Sequence, residues 1–372
     1  MFKTVRITVL GTRGFPGVQG GVEAHCEKLY SRLAELGCKI TVFTRVPYVN
    51  PRIKSYEGVE LLPLGCPKSK SFEAIIHTLR GTFTAKKTSP DILHIHAVGP
   101  SLVIPLARIL GMQVVMTNHG PDYKRKKWGM GAKLFLRLGE MLGSCFANEV
   151  ICISEVIADD IKRKYNRDSH IIPNGVEIPE VLKSRVIFNK YSLKKDKYVL
   201  TVGRFVPEKG FVDLIDAFGK AGLKDWKLVI VGSADHESEY SRTLRERATE
   251  NQDVILTGFL SGDTLKELYS HAGLFVLPSF YEGLPIVLLE AMSYGLLCLA
   301  SDIPANRCVT LPDENYFTAG DIKQLSGKLK GFAKKSLTLE QKSRQIEIVR
   351  QRYDWGRIAQ KTLMVYNKVI HG

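Results

Sequence analysis

Apolar and polar positions along the chain alternate between two textures. Short apolar runs at residues 4–10, 39–44, 59–64, 92–95, 114–117, 150–153 and 170–172 are bounded by turn-forming residues and predict buried strands. Between them, longer stretches with apolar residues every three or four positions predict helices over 22–36, 71–87, 100–110, 131–147 and 154–165. Strand then helix, repeated, is the signature of a doubly wound α/β domain, which the pattern places at 1–176. A polar, irregular stretch at 177–195 reads as a linker. The alternation then restarts, with strands at 198–203, 226–232, 254–258 and 274–277 and helices at 211–219, 237–250 and 261–270. Another helix begins at Pro285, whose missing N–H costs nothing in a first turn. The remainder, with helices near 321–334, 339–350 and 354–369, predicts a helical cover, so the second domain spans 196–352 and a final helix 353–372.

Composition supports this division. A chain of 372 residues, 44% of them hydrophobic, buries a large core and suits two domains better than one. The net charge of +15 calls for an anionic partner: a nucleic acid, a membrane surface or a phosphorylated small molecule. Residues 1–150 carry 21 Lys and Arg against 10 Asp and Glu, so most of that charge lies in the first domain. The seven cysteines contain no CxxC pair and sit mostly in apolar segments, which predicts reduced, buried thiols rather than bridges or a zinc site. No window of about 18 residues is free of charge, so no membrane span is expected. The first apolar run is too short for an export signal, and a cytosolic protein is expected.

The candidate chemistry lies in the loops after strands. Gly11-Thr12-Arg13-Gly14-Phe15-Pro16-Gly17-Val18-Gln19-Gly20-Gly21 follows the first strand, but its spacing is not G-x-G-x-x-G and no acidic residue ends the second strand. A nicotinamide site is therefore disfavoured, while Gly20 and Gly21, just before a helix, would let backbone approach a diphosphate. His94 and His96 at a strand end are expected to pack or hydrogen-bond. His119 differs, because it lies in a loop at the carboxyl end of a buried strand, where such sheets bind ligands. Lys124, Arg125, Lys126 and Lys127 beside Trp128, followed by apolar Leu134–Leu138, would either dock on anionic lipid or bind a phosphate of substrate. In the second domain Arg204 and Lys209 follow the first strand as a fork and a point charge for a diphosphate. Pro278 to Met292 forms a strand-loop-helix corner with Glu282 in the loop and Glu290 eight residues later. Its free helix-start amides suit a phosphate, and its carboxylates suit sugar hydroxyls.

Taken together, Gly20-Gly21, His119, Asn174-Gly175-Val176, Gly203-Arg204 with Lys209, and Glu282 with Glu290 resemble the retaining glycosyltransferases of family 4. The Gly11–Pro16 loop and Gly20-Gly21-Val22-Glu23 are similar to the branch found in bacterial surface-polysaccharide assembly. The resemblance implies the GT-B fold: two facing Rossmann-like domains, the donor between them, and a last helix crossing back to the first. It implies that Arg204 and Lys209 hold the donor diphosphate, and that Glu290 takes ribose hydroxyls while Glu282 lies near the transferred sugar. Backbone at Gly283 and Leu284, beside Pro285, would cap the distal phosphate, with Gly20 and Gly21 approaching it and His119 contacting the sugar. Asn174 and Gly203 join the donor-binding set. It implies no bound metal and no cofactor beyond the nucleotide sugar, and its acceptor would be a lipid-linked oligosaccharide at the inner face of the cell membrane. Cys308 stands where many members carry a glutamate. A soluble-acceptor transferase, a nucleotide-sugar epimerase, a glycosidase carboxylate pair and a basic nucleic-acid-binding protein are the competing readings.

Overall fold

The computed structural model describes residues 4–18, 20–66, 73–124, 129–184, 186–234 and 237–372. It divides into two compact units, one comprising 1–175 with 353–372 and the other 176–352.

The first unit is built on an eight-stranded sheet. Its strands are β1 (Arg6–Leu10), β2 (Lys39–Arg45), β3 (Ser55–Tyr56), β4 (Val59–Leu64), β5 (Ile92–His96), β6 (Val114–Asn118), β7 (Glu149–Cys152) and β8 (His170–Ile171). They run in the order β3-β4-β2-β1-β5-β6-β7-β8, all parallel except the β3–β4 hairpin. β5 and β6 are buried at every position, as expected of strands covered on both faces. Strand order reverses at β1 and β5, leaving a crevice at their carboxyl ends. The helix Trp355–His371 belongs to this unit. Trp355, Ile358, Val365 and Tyr366 share one core with Cys26, Leu29, Tyr30 and Leu33 of the helix Gly21–Glu35.

The second unit holds six parallel strands: β9 (Tyr198–Val202), β10 (Lys227–Val231), β11 (Val254–Gly258), β12 (Leu274–Leu277), β13 (Cys298–Ser301) and β14 (Tyr316–Phe317). Their order, β11-β10-β9-β12-β13-β14, reverses between β9 and β12. Phe211, Leu214 and Phe218 of one helix pack with Leu228, Ile230, Leu274, Val276 and Leu299 of the strands.

Three local expectations change. Residues 100–110 form a 3₁₀ turn, Pro100–Val103, before the helix Ile104–Ile109, because Pro105 cannot supply an N–H to a continuous helix. The stretch 177–195 contains the helix Val186–Tyr191, fixed by buried Ile187 and Phe188 and by Glu267 Oε1, which accepts the Ile187 amide at 2.7 Å. The region beyond Met292 is not only a helical cover, since β13 and β14 extend the sheet there. Cys26, Cys38, Cys152 and Cys298 are buried thiols, whereas Cys145 is exposed. Among the described residues no helix is long and apolar enough to cross a membrane.

Candidate active site

In the second unit the loops after β9 and β12 meet at the point where strand order reverses. The first runs through the 3₁₀ turn Pro207–Lys209 and the second from Pro278 to Pro285. Gly210 joins them. It adopts φ +66°, and a Cβ there would lie 2.3 Å from the Pro278 carbonyl oxygen. Gly210→Ala is expected to lower stability by at least about 2 kcal/mol, from the left-handed backbone and the backbone clash. Urea unfolding checks this, and an unchanged midpoint would show that the two loops are not clamped at Gly210.

This closeness brings together residues far apart in sequence. Lys209 Nζ lies 2.6 Å from Glu282 Oε1, and Ser279 Oγ donates to the same oxygen at 2.6 Å. Lys209 and Glu282 keep only 16% and 11% side-chain exposure, so their attraction is weakly screened and a third charge would be felt strongly. Gly203 follows β9 beside this pair, its amide donating to the Val231 carbonyl at 2.9 Å, and a Cβ there would press on Lys209 Cε. Arg204 occupies the same loop. Among the described residues the amides of Gly283 and Leu284 have no hydrogen-bond partner, and Pro285 caps the helix Ile286–Ser293 that follows. Two cations and two open amides at a helix start can bind a diphosphate.

Glu290 lies on that helix, apart from the Lys209–Glu282 pair in its contacts. Tyr269 Oη donates to Glu290 Oε2 at 2.9 Å, and its ring stacks on Tyr294 with centroids 5.3 Å apart. Burial pushes the Glu290 carboxyl up to about 7, with the Tyr269 hydrogen bond opposing and nearby Glu177 adding to the rise. A buried carboxyl of this kind gains from a ligand with two hydroxyl donors, such as a ribose diol. Cys308 caps the short helix Pro304–Arg307, with Sγ 3.4 Å from the Pro304 carbonyl.

In the first unit the glycine-rich loop is pinned rather than loose. Glu23 accepts from the Arg13 amide at 3.2 Å and from Arg13 Nε at 3.1 Å, and Gly20 is the residue before the helix start at Gly21. A side chain at Gly20 would meet Glu23 Oε2 at 2.0 Å. His119 follows β6 and is joined to His96, whose Nδ1 lies 2.9 Å from His119 Nε2. His25, on the helix after the glycine loop, was missed by the sequence reading. Its ring sits 5.1 Å from His119 and 5.5 Å from Trp355. Only its spacing four residues beyond Gly21 marked it as facing the sheet. Asn174 is buried near His25, while Gly175 packs against Trp355. Burial holds His25, His94, His96 and His119 neutral, with His94 and His119 pulled down to about 3. His25, His96 and His119 place one ring nitrogen each within 4.8 Å of the others, which suits a metal ion by residue type. His96 Nδ1 and His119 Nε2 are hydrogen-bonded to each other. Lys124 is half-exposed and lies 3.9 Å from Asp160, whereas Arg125, Lys126, Lys127 and Trp128 fall outside the described residues.

Two Rossmann-like units, the second carrying cations, carboxylates and open amides at its switch point, are the elements of the GT-B fold. Residues 19–179 match the model described as Glycosyltransferase Family 4, and residues 183–352 match the one described as Glycosyl transferases group 1. Together the two matches, both to glycosyltransferase models, show the chain to be a glycosyltransferase. It is 26% identical to an uncharacterized glycosyltransferase of Methanocaldococcus jannaschii, over 94% of this chain and 95% of that one. It is 29% identical to the UDP-Gal:alpha-D-GlcNAc-diphosphoundecaprenol alpha-1,3-galactosyltransferase of Escherichia coli, over 60% of this chain and 61% of that one. Among solved structures, Anabaena HepE in complex with UDP and glucose superposes with a TM-score of 0.80 at 18% identity, over 98% of this chain and 100% of that one.

Proposed function

We propose that this chain is a retaining, metal-independent glycosyltransferase that moves a sugar from a nucleotide-sugar donor to a lipid-linked acceptor in bacterial surface-polysaccharide assembly. The observation that carries the donor half is the Lys209–Glu282–Ser279 cluster beside the open Gly283 and Leu284 amides. As the anomeric carbon–oxygen bond to the diphosphate breaks, negative charge grows on the leaving oxygen and the sugar gains oxocarbenium character. Arg204, Lys209 and the Gly283 amide meet that charge, the work that a metal does elsewhere. The acceptor hydroxyl attacks from the leaving-group face and passes its proton to a phosphate oxygen of the donor. Lys209 and Ser279 hold Glu282 Oε1, and we assign Glu282 to orienting the sugar rather than to attack on it. Glu290 takes the ribose hydroxyls, His119 contacts the sugar, and Gly20 and Gly21 supply close backbone for a phosphate. The E. coli relative, by its name, uses a UDP-sugar, and HepE binds UDP, which favours a UDP-type donor. A thermal-shift panel of UDP-, GDP- and dTDP-sugars tests this. A true donor at about 100 times its dissociation constant adds about 2.7 kcal/mol, and no shift with any of them would overturn the reading.

The helix Met130–Phe146 supports the lipid-linked acceptor. Met130, Leu134, Leu138 and Met141 form one stripe on it and are 90%, 70%, 41% and 39% exposed. Lys133 and Arg137 lie beside the stripe, and the opposite face is anchored, with buried Glu140 accepting from Tyr123 and Tyr165. A rigid helix presenting apolar side chains flanked by cations suits an anionic bilayer surface. The protein is expected to sediment with anionic vesicles at low salt, and Leu134→Glu with Leu138→Glu to weaken that by roughly tenfold or more, since each buried leucine contributes about 1.5–3 kcal/mol. Failure of the unaltered protein to bind such vesicles would favour a soluble acceptor.

A further inference from the structure

Two helices start where the loops after β9 and β12 meet, and their starts are closed differently. The helix Phe211–Ala221 follows Gly210 and the helix Ile286–Ser293 follows Pro285, so neither start has a capping side chain of its own. Such starts leave backbone N–H groups without intrahelical partners and attract anions. Ahead of the second, the Gly283 and Leu284 amides stay open. At the first, Tyr240 closes the start from 29 residues away: its Oη accepts from the Phe211 amide at 2.9 Å and from the Val212 amide at 3.4 Å. Burial pushes the Tyr240 phenol up to about 12, with the Val212 and Phe211 amides opposing, so this cap carries no charge at neutral pH.

Tyr240 is itself fixed. It lies in the first turn of the helix Glu239–Thr249, whose start is closed by a reciprocal pair. The Ser241 amide donates to Ser238 Oγ at 3.2 Å, and the Ser238 amide donates to Ser241 Oγ at 2.9 Å. One turn on, Leu244 is fully buried in the core that contains Phe211 and Phe218. A step of four residues keeps Tyr240 and Leu244 on one face, so the packing that buries Leu244 also sets the hydroxyl over the Phe211 start. The turn Pro207–Lys209 is thereby held on three sides. The Pro278 carbonyl closes over Gly210, the Phe280 amide donates to the Glu208 carbonyl at 2.8 Å, and Tyr240 holds Phe211 and Val212. Glu282 holds the tip of the Lys209 side chain, and these contacts hold its base.

We propose that Tyr240 is a positioning residue: by capping Phe211–Ala221 it fixes the backbone from which Lys209 reaches a diphosphate, and it withdraws that helix start as a rival seat for phosphate. This rests on the reading of Lys209 as a diphosphate ligand. It directs the anion to the Gly283 and Leu284 side of the corner. It also gives the helix Glu239–Thr249, which carries none of the site residues named above, a part in donor recognition.

The test is calorimetric titration of the full chain with UDP and with uridine, which lacks the diphosphate, beside hydrogen exchange of the segment containing Phe211 and Val212. The native protein should bind UDP more tightly than uridine. Tyr240→Phe keeps the ring and removes the acceptor, so exchange at the two amides should quicken. UDP should then bind about three- to tenfold more weakly, within the range of one neutral hydrogen bond, and uridine should bind as before. In a Lys209→Ala background the same substitution should change UDP affinity by less than about twofold, because the group it positions is gone. A purely structural tyrosine would weaken both ligands, or weaken UDP equally in both backgrounds, and either result would overturn the proposal. So would unchanged exchange or unchanged UDP affinity in Tyr240→Phe. UDP binding no tighter than uridine in the native protein would instead overturn the diphosphate reading, and the positioning role with it.

Discussion

Lys209→Ala lowers the rate of sugar transfer by about 100- to 1,000-fold, the usual effect of removing one preorganised donor to a developing oxyanion. Initial rates with the donor found by thermal shift measure it. Among the described residues the same substitution leaves Glu282 with the Ser279 hydroxyl as its one partner, and stranding a shielded carboxylate costs stability as well. Rate and stability are separated by the double variant Lys209→Met with Glu282→Gln. It removes both charges, so its urea midpoint should lie nearer the native value than that of Lys209→Ala, while transfer stays low. Arg204→Ala should fall by a comparable factor. Unchanged turnover in both Arg204→Ala and Lys209→Ala would sink the diphosphate assignment.

Glu290→Gln raises stability at alkaline pH and flattens its pH dependence. The carboxyl has an ordinary value of 4.5 and is pushed up to about 7 in the fold. Between these values the folded protein keeps a proton that the unfolded chain releases, so stability falls as pH rises through this window. The penalty is complete above about pH 7 and absent below about pH 4.5. Removing it should contribute about 1–3 kcal/mol at pH 8 and almost nothing at pH 4.5. Urea unfolding at the two pH values checks this, and an equal shift at both would show that Glu290 does not titrate there. A ribose diol donating to Glu290 favours its charged form, so nucleotide binding should release a proton near pH 6 and tighten as pH rises. Calorimetry in buffers of different ionisation enthalpy detects that proton. Glutamine, with a single acceptor oxygen, should weaken binding and abolish the release.

Much of the fold was legible because strand and helix periods are written in neighbouring residues. The run Leu274–Leu277, the glycines before residue 22 and the corner from Pro278 to Met292 each announce an element locally. The elements that escaped were those held by distant contacts. The two-residue β14 exists through its pairing with Ala300 and Ser301, and the helix Val186–Tyr191 through Glu267. His25 escaped for the same reason, because a single histidine on an amphipathic helix carries no local sign of the three aromatic rings around it. Of the basic segment that suggested a lipid surface, only Lys124 is among the described residues, and the suggestion rests instead on the apolar stripe of Met130–Phe146.

The sequence by itself determined two α/β units, the loops that carry their polar groups, and the separation that puts Glu282 in a loop and Glu290 on a helix. Only the tertiary structure decided which of those groups touch. Lys209 and Glu282 are 73 residues apart and meet because strand order reverses between β9 and β12, a choice that no local period encodes. Tyr366 reaches His94 because the last helix packs beside the helix Gly21–Glu35, and the apolar face that drives this packing is the same whichever partner it covers. Periodicity specifies what must be buried. The strand order and the docking of the last helix specify against what, and so which protons and charges share a site.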